Sequence, residues 1–288
     1  MKWLLLIQLF FCVTALSQRP SLYFEKITEQ DGLSHNKVNC ILQDQRGFIW
    51  LGTDDGLNRY DGKHFIQFHN IPGDTTTLSG NIITDILEDK EGVLWIATAD
   101  GGMSRYDYRL PPSKKFRQFR HQPGNPASIP VNSINALLED RHGNLWLGTS
   151  GRSLVRFDKK TFAFNYFNPG KKTVLDLCMD RQGLIWVGRQ GGGILKIDPV
   201  TLATHEDQGY QDLYADLPHV TVTSLFRDKE DHIWFGSWDK KLYRYNIYSG
   251  EEEVFSYSGP NSFHDDEIRG FAEDKNGKIW MGGKEKGL

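Results

Sequence analysis

The sequence predicts an all-β fold: a β-propeller of four-stranded blades, with about five full blades and part of a sixth, drawn from a ring of seven. Three observations carry that prediction. Six of the eight Trp residues (Trp50, Trp95, Trp146, Trp186, Trp234 and Trp280) occupy one position of a repeated pattern. Successive copies lie 40 to 51 residues apart, the length of a propeller blade. Gly and aromatic residues recur throughout, and no segment keeps apolar residues at helical spacing for three turns, which disfavours helical repeats of similar length.

Each repeat parses into four strands. The first is an apolar run ending in Asp: VNCILQD (38–44), ITDILED (83–89), INALLED (134–140), VLDLCMD (174–180), VTSLFRD (222–228) and IRGFAED (268–274). A D-x-x-G turn follows. Its Asp side chain can cap the turn's own backbone, and its Gly tolerates positive φ. The fifth repeat has Asp231 where Gly is expected, and Asp is among the few other residues that accept left-handed geometry. The second strand carries the Trp. Ile49 and Leu51 point to one face, Trp50 and Gly52 to the other. The small residue recurs as Ala97, Gly148, Gly188, Gly236 and Gly282. A strand that is apolar or small on both faces belongs in a sheet packed between two others. A large Trp beside a residue without bulk predicts interdigitation between blades. The third strand is of the LNRYD type, and its turn leads to a fourth, such as HFIQFHN (64–70).

The two ends of the chain carry separate expectations. SLYFEKITEQDGLSHNKV (21–38) aligns with a fourth strand and the loop after it. Leu22–Thr28 is therefore expected to complete the last blade and close the ring, which removes an exposed sheet edge. The sixth repeat stops at Leu288, before its third strand, so the chain is expected to be the beginning of a longer protein. Residues 1–17 read as a secretory signal peptide: Lys2, an apolar run through Val13, then small residues to Ala15-Leu16-Ser17. The run is too short for a membrane anchor, and Cys12 follows two Phe residues, which argues against lipidation. Residues 18–288 form the partial propeller.

Composition excludes several classes. The formal net charge is −3, and the sequence shows no basic stripe for nucleic acid and no polybasic membrane patch. No later stretch is long and apolar enough to span a bilayer once the signal is removed, so the chain is expected to be exported and not anchored. Cys40 and Cys178 stand at different points of different repeats, which suits two buried thiols better than a disulfide.

The D-x-x-G turn and the turn after the third strand are uniform and lie on one rim of a meander. The other two loops lie on the opposite rim, and the variation is there: TDDG, TADGG, TSGRS, RQGGG, SWDKK and GKEKG between second and third strands, and crossovers from NPGKKT (168–173) to HEDQGYQDLYADLPH (205–219). Length changes confined to one face mark a binding face on a repeat scaffold. Trp238 stands on that rim outside the repeat register, and an exposed indole suits stacking on a sugar ring or another flat ligand. Arg152, Arg189 and Lys240 occupy comparable places and suit an anionic group. The plainer alternative is solvated loop charges and a Trp packed on its own blade.

Signals for catalysis are weak. D-x-x-G-x-x-W is close to the D-x-G-x-x-W box of sialidase-type propellers but has one more residue between Asp and Gly. Six copies suit a turn better than one active site. The nine His residues show no metal-ligand spacing, and Gly191-Gly192-Gly193 reads as a strand-to-strand turn, not a phosphate loop. No catalytic residue, metal or cofactor is expected.

The run DGLSHNKVNCILQDQRGFIWLGTDDGLNRYDG (31–62) resembles the opening of the two-component regulator propeller family, and the likeness extends through all six repeats. The resemblance implies the N-terminal sensor region of a periplasmic hybrid histidine kinase of the Bacteroidetes type. A second propeller, a β-sandwich and a kinase would then be partners in the same chain, with an oligosaccharide or other small molecule as ligand and a possible homodimer of the full-length sensor. This chain has no kinase motif of its own, so signalling by phosphorelay belongs to the longer protein. The alternatives are a propeller lyase or glycosidase, and a stand-alone binding or scaffold protein.

Overall fold

A computed structural model describes residues 25–151, 153–167, 172–204, 220–256 and 267–283. Each repeat is an antiparallel meander. Blade 1 comprises β1 (Val38–Gln43), β2 (Ile49–Thr53), β3 (Gly56–Tyr60) and β4 (Phe65–Phe68). Blade 2 comprises β5 (Ile83–Glu88), β6 (Leu94–Thr98), β7 (Met103–Tyr106) and β8 (Phe116–Phe119). Blade 3 comprises β9 (Ile134–Glu139), β10 (Leu145–Thr149), β11 (Ser153–Phe157) and β12 (Phe164–Phe167). Blade 4 has β13 (Val174–Met179), β14 (Ile185–Arg189) and β15 (Ile194–Ile197), with a single bridge from Ile197 to Thr204 where a fourth strand is expected. Blade 5 has β16 (Val222–Arg227), β17 (His232–Ser237), β18 (Lys241–Asn246) and β19 (Glu252–Ser256), and blade 6 has β20 (Ile268–Glu273) and β21 (Ile279–Gly283). The inner strands β1, β5, β9, β13, β16 and β20 pack side by side in that order. This is the propeller arrangement.

One local device builds every blade. The Asp that ends the inner strand turns its Oδ1 onto the backbone N–H groups two and four residues on, as from Asp89 to Glu91 (3.0 Å) and Val93 (2.9 Å). Its Oδ2 accepts from the indole of the Trp six residues on, 2.7 Å for Trp95. The same indole bond recurs at Trp50, Trp146, Trp186, Trp234 and Trp280. The Gly of the turn has positive φ, and Asp231 adopts φ 67° in its place. Asp231 has compensations that a glycine lacks: its buried carboxylate meets Arg181 (3.1 Å), Arg227 (3.0 Å) and the Tyr248 hydroxyl (3.1 Å).

The core lies between blades. Trp50, Trp95, Trp146 and Trp186 are fully buried. Trp50, Trp95 and Trp186 each meet an aromatic ring of the next blade's third strand, at Tyr106, Phe157 and Tyr245, all 5.5 Å between centroids. The small residue two places after Trp is a notch for the first residue of the next inner strand. A Cβ added at Gly52 would stand 2.5 Å from Ile83, one at Gly148 2.6 Å from Val174, and one at Gly236 2.9 Å from Ile268. The interdigitation expected from Trp beside Gly is thus present, with an Ile or Val as the inserted side chain.

A bulge at the second residue of each inner strand adds a polar clasp. Register shifts fall at Asn39, Thr84, Asn135, Leu175, Thr223 and Arg269. A bulge re-aims its side chain. Asn39, Thr84, Asn135 and Thr223 each donate to the carbonyl of the next blade's first strand residue, at 2.6 to 2.9 Å. Leu175 cannot, so the seam between blades 4 and 5 is held otherwise, by the Asp176 carboxylate accepting from Leu225 N–H at 2.6 Å. On the opposite rim, Lys159 lies between blades 2 and 3 and reaches Asp89 (2.9 Å), Glu91 (2.5 Å) and Glu139 (2.8 Å).

One expectation needs correction. Residues 25–28 form no strand; the chain passes instead into a one-turn 3-10 helix, Glu29–Asp31, capped by Thr28. A ring-closing strand needs a neighbouring edge, and residues 284–288 lie outside the described residues, as do residues 22–24. The expected signal peptide also lies outside them. Cys40 and Cys178 are free thiols as expected; Cys178 is buried and Cys40 half-buried.

Two stability predictions follow from the seams. Gly148→Val should cost about 1–3 kcal/mol by overpacking against Val174, read as a lower urea midpoint. Gly270→Ala, where an added Cβ meets nothing within 4 Å, should be neutral. Lys159→Met leaves Asp89 and Glu139, both nearly buried, without their cation; removing one partner of a buried pair should cost about 3 kcal/mol, and a neutral result in urea unfolding would contradict the geometry.

Candidate ligand-binding face

The rim formed by the second-to-third-strand loops and the crossovers is built so that each short loop is pinned from both sides. In blade 2, Ala99 N–H donates to Ile82 just before its own inner strand, and Gly102 N–H donates to Asn132 just before the next. The pattern recurs at Gln190 with Thr173 and at Gly193 with Val220. Hydroxyls at the end of the second strand close the same loops, Thr53 onto Gly56, Thr98 onto Gly102 and Ser237 onto Lys241, at 2.9 to 3.0 Å. Rigid loops on a rigid ring hold side chains at fixed places, which is what a recognition surface needs.

The four residues singled out in the sequence do not share one fate. Trp238 is on the rim and 53% exposed. Its indole N–H is bound to Glu267 Oε1 across the seam between blades 5 and 6, at 2.9 Å. Glu267 is nearly buried and also carries Arg269 at 2.9 Å. Lys240 is exposed in the adjoining turn with φ 63°. Arg189 is not a loop residue: it ends β14 and is 8% exposed. It takes the place that Thr or Ser holds in blades 1, 2, 3 and 5. Arg152 lies outside the described residues. Trp238 and Lys240 thus share one loop, and Glu267 and Arg269 join Trp238 from the next blade, which the sequence reading missed. Their signal was slight: an acidic residue before, and an Arg at, the bulge of one repeat alone.

The inner strands carry two carboxylates toward the channel, Asp85 on β5 and Asp176 on β13. Each accepts two backbone N–H groups, its own neighbour's and one on the following blade, Leu137 at 2.7 Å and Leu225 at 2.6 Å. Both side chains are half-buried by surface area but stand among packed inner strands. Desolvation therefore pushes Asp85 up to about 7 and Asp176 up to about 6, and the charge of Asp176 adds to the rise at Asp85. Among the described residues no group of His, Cys, Asp and Glu is placed to hold a metal ion.

Five stretches match the two-component regulator propeller repeat: residues 32–55, 77–100, 128–151, 216–239 and 262–285. These five repeats are those of the two-component regulator propeller family. The unmatched repeat is the fourth, where Leu175 replaces the clasp residue and Arg189 the loop-closing hydroxyl. Histidine kinase P4 of Formosa agariphila is 40% identical over 70 residues, covering 24% of this chain and 5% of that protein. The extracellular domain of a putative hybrid two-component system of B. thetaiotaomicron has a TM-score of 0.70 at 20% identity, over 90% of this chain and 40% of that one. A second such domain from that organism has a TM-score of 0.68 at 25% identity, over 85% and 34%. The chain therefore spans well under half the length of these relatives. A virginiamycin B lyase from Staphylococcus aureus has a TM-score of 0.64 at 12% identity, a likeness of fold alone. No helix among the described residues is long and apolar enough to cross a membrane.

The channel carboxylates give a pH prediction. A carboxyl whose folded value is raised contributes stability at low pH that is lost as pH rises through that value. Between about pH 4 and 7, from the ordinary carboxyl value to the raised ones, the native chain should therefore lose stability relative to the Asp85→Asn, Asp176→Asn double variant. Urea midpoints that differ by a constant across that window would refute the assignment.

Proposed function

We propose that this chain is the ligand-sensing propeller of a two-component sensor histidine kinase, exported to the periplasm by residues 1–17. Its variable rim takes up an oligosaccharide or a similar small molecule. Binding biases the arrangement of the sensor's outer domains, and the kinase reads that bias as phosphorelay output that controls transcription. The observation that carries the reading is the family repeat itself, found in five of six blades. The extracellular domains similar in fold and the histidine kinase similar over 70 residues support it. On the rim, the half-exposed Trp238 supplies a stacking surface, with its N–H already committed to Glu267; Arg269 pairs with that same carboxylate from the next blade, and Lys240 stands two residues on from Trp238. The propeller itself performs no chemistry in this reading.

The test has two parts. An antibody to blade 1 should detect, in the native cells, a protein several-fold heavier than this chain; a mass equal to the chain less its signal peptide would overturn the sensor reading. A glycan array probed with that longer protein's outer region should yield a ligand whose affinity falls at least tenfold in Trp238→Ala and is unchanged in Tyr248→Ala, an exposed aromatic residue far along blade 5. Binding that survives Trp238→Ala would remove the rim from the proposal.

A further inference from the structure

The outer wall of blade 2 carries a basic groove. A groove of about 570 Å³ runs along the edge strand β8, and Arg105, Lys114, Arg117 and Arg120 line it. These belong to a basic run, KKFRQFR (114–120), in a chain of net charge −3; the whole-chain balance hides it. Among the described residues that line the groove there is no acidic side chain. Only Arg105 has an ion-pair partner, Asp107 at 2.8 Å. Arg117 lies over the rings of Phe162 (4.0 Å) and Phe119 (5.2 Å). Arg120 is held by Gln118 Oε1 at 3.1 Å and by the Ser79 carbonyl. Among the described residues the Lys114 ammonium has no ion-pair or hydrogen-bond partner.

The groove is also preformed. Gln118 Nε2 ties one wall to β8 by donating to the carbonyls of Asp74 (3.1 Å), Thr77 (3.0 Å) and Leu78 (2.9 Å). The Asp74 carboxylate is turned away into its own loop, onto Thr76 N–H (2.8 Å) and hydroxyl (2.6 Å). The other wall is the turn Pro112–Lys114, stiffened by Pro111 and Pro112. Phe119 and Phe162 fix the guanidinium of Arg117 without neutralising it. Cations on an edge strand also discourage sheet-to-sheet aggregation, but that role needs neither a cavity nor pinned walls.

We propose that this groove is a binding site for a small soluble molecule bearing several oxyanions, sulfate or phosphate esters, separate from the rim around Trp238. Planar guanidinium groups bind such oxyanions by paired hydrogen bonds, and Thr75, Ser113 and Gln122 in the lining offer polar contacts to the hydroxyls of the carrier. The volume suits a molecule of two or three rings, not a nucleic-acid duplex.

The test uses sucrose octasulfate and inositol hexakisphosphate as probes, with sucrose and inositol as neutral controls, by titration calorimetry on the full chain. Both polyanions should bind at 50 mM salt and the neutral polyols should not. Lys114→Glu and Arg117→Glu, both at exposed positions, should each weaken binding at least tenfold, and the salt dependence should fall with them. Lys63→Glu with Lys275→Glu makes a larger change in net charge elsewhere and should leave affinity within threefold. Equal loss in that control, or no loss in the groove variants, overturns the site. Vesicles of phosphatidylglycerol supply the last arm: binding to vesicles with none to the soluble probes overturns the small-ligand proposal in favour of a membrane surface. Because Trp238→Ala should not alter these affinities, failure here leaves the rim proposal standing, and the reverse holds too.

Discussion

The hydrogen bond from each Trp indole to the Asp six residues before it is the constraint on which the ring depends. The Asp sits at the end of the inner strand and the Trp in the second strand, so the bond spans the turn between them. One oxygen holds the turn's backbone and the other holds the indole. The turn is thereby fixed in length and the Trp fixed in rotation. With the indole held on one face, the residue two places on must be small, because it shares that face and meets the next blade. The notch then receives Ile83, Ile134, Val174, Val222 or Ile268 and sets the spacing of successive blades. Burial alone would push these carboxyls up, but the indole and backbone donors outweigh it and hold Asp44, Asp89 and Asp140 below the ordinary carboxylate range. A group held low stabilises the fold above its unfolded value and loses that contribution as pH falls. The ring's turns and the channel carboxylates therefore pull stability in opposite directions with pH.

Much of this was legible in the sequence because the repeat states it six times. Strand positions, the D-x-x-G turn, the left-handed Asp231 and the Trp-with-Gly alternation all follow from local chemistry: alternation, turn residues and side-chain volume. The partner of the indole was not legible. Asp and Trp are six apart in every repeat, yet a separation along the chain does not say that a turn brings the two side chains together. The bulge clasp was hidden for the same reason. Asn39, Thr84, Asn135 and Thr223 look like unremarkable polar residues in a strand, and only the register shift shows that they face the next blade.

The candidate site was less legible than the fold. Trp238 was identified because it breaks the repeat, and an out-of-register aromatic residue on a rim is a visible exception. Arg189 looked equivalent by alignment, but the second strand of blade 4 runs through that position and buries it. Glu267 and Arg269 join Trp238 only across a blade seam, from a different repeat. Repeat alignment compares like positions in successive blades; a site at a seam draws unlike positions from two neighbours.

Blade 4 ties these threads together. It departs from the repeat at the clasp residue and at the loop-closing hydroxyl, and family matches skip it. Its seam with blade 5 is held by the Asp176 carboxylate and by the Arg181–Asp231 pair, not by the neutral Asn and Thr clasps used elsewhere. A neutral clasp is indifferent to pH and nearly so to salt; a desolvated carboxylate and a half-exposed ion pair are sensitive to both. The seam that lacks the repeated clasp therefore depends on charged groups in its place, whereas the seam between blades 2 and 3 has Asp85 and Lys159 in addition to its Thr84 clasp, and the clasp-free seam lies one blade from Trp238. Any movement of blade 5 against blade 4 would carry Trp238 and Lys240 with it, since both sit in the loop between β17 and β18 and that loop is pinned at Trp238 N–H to Thr221.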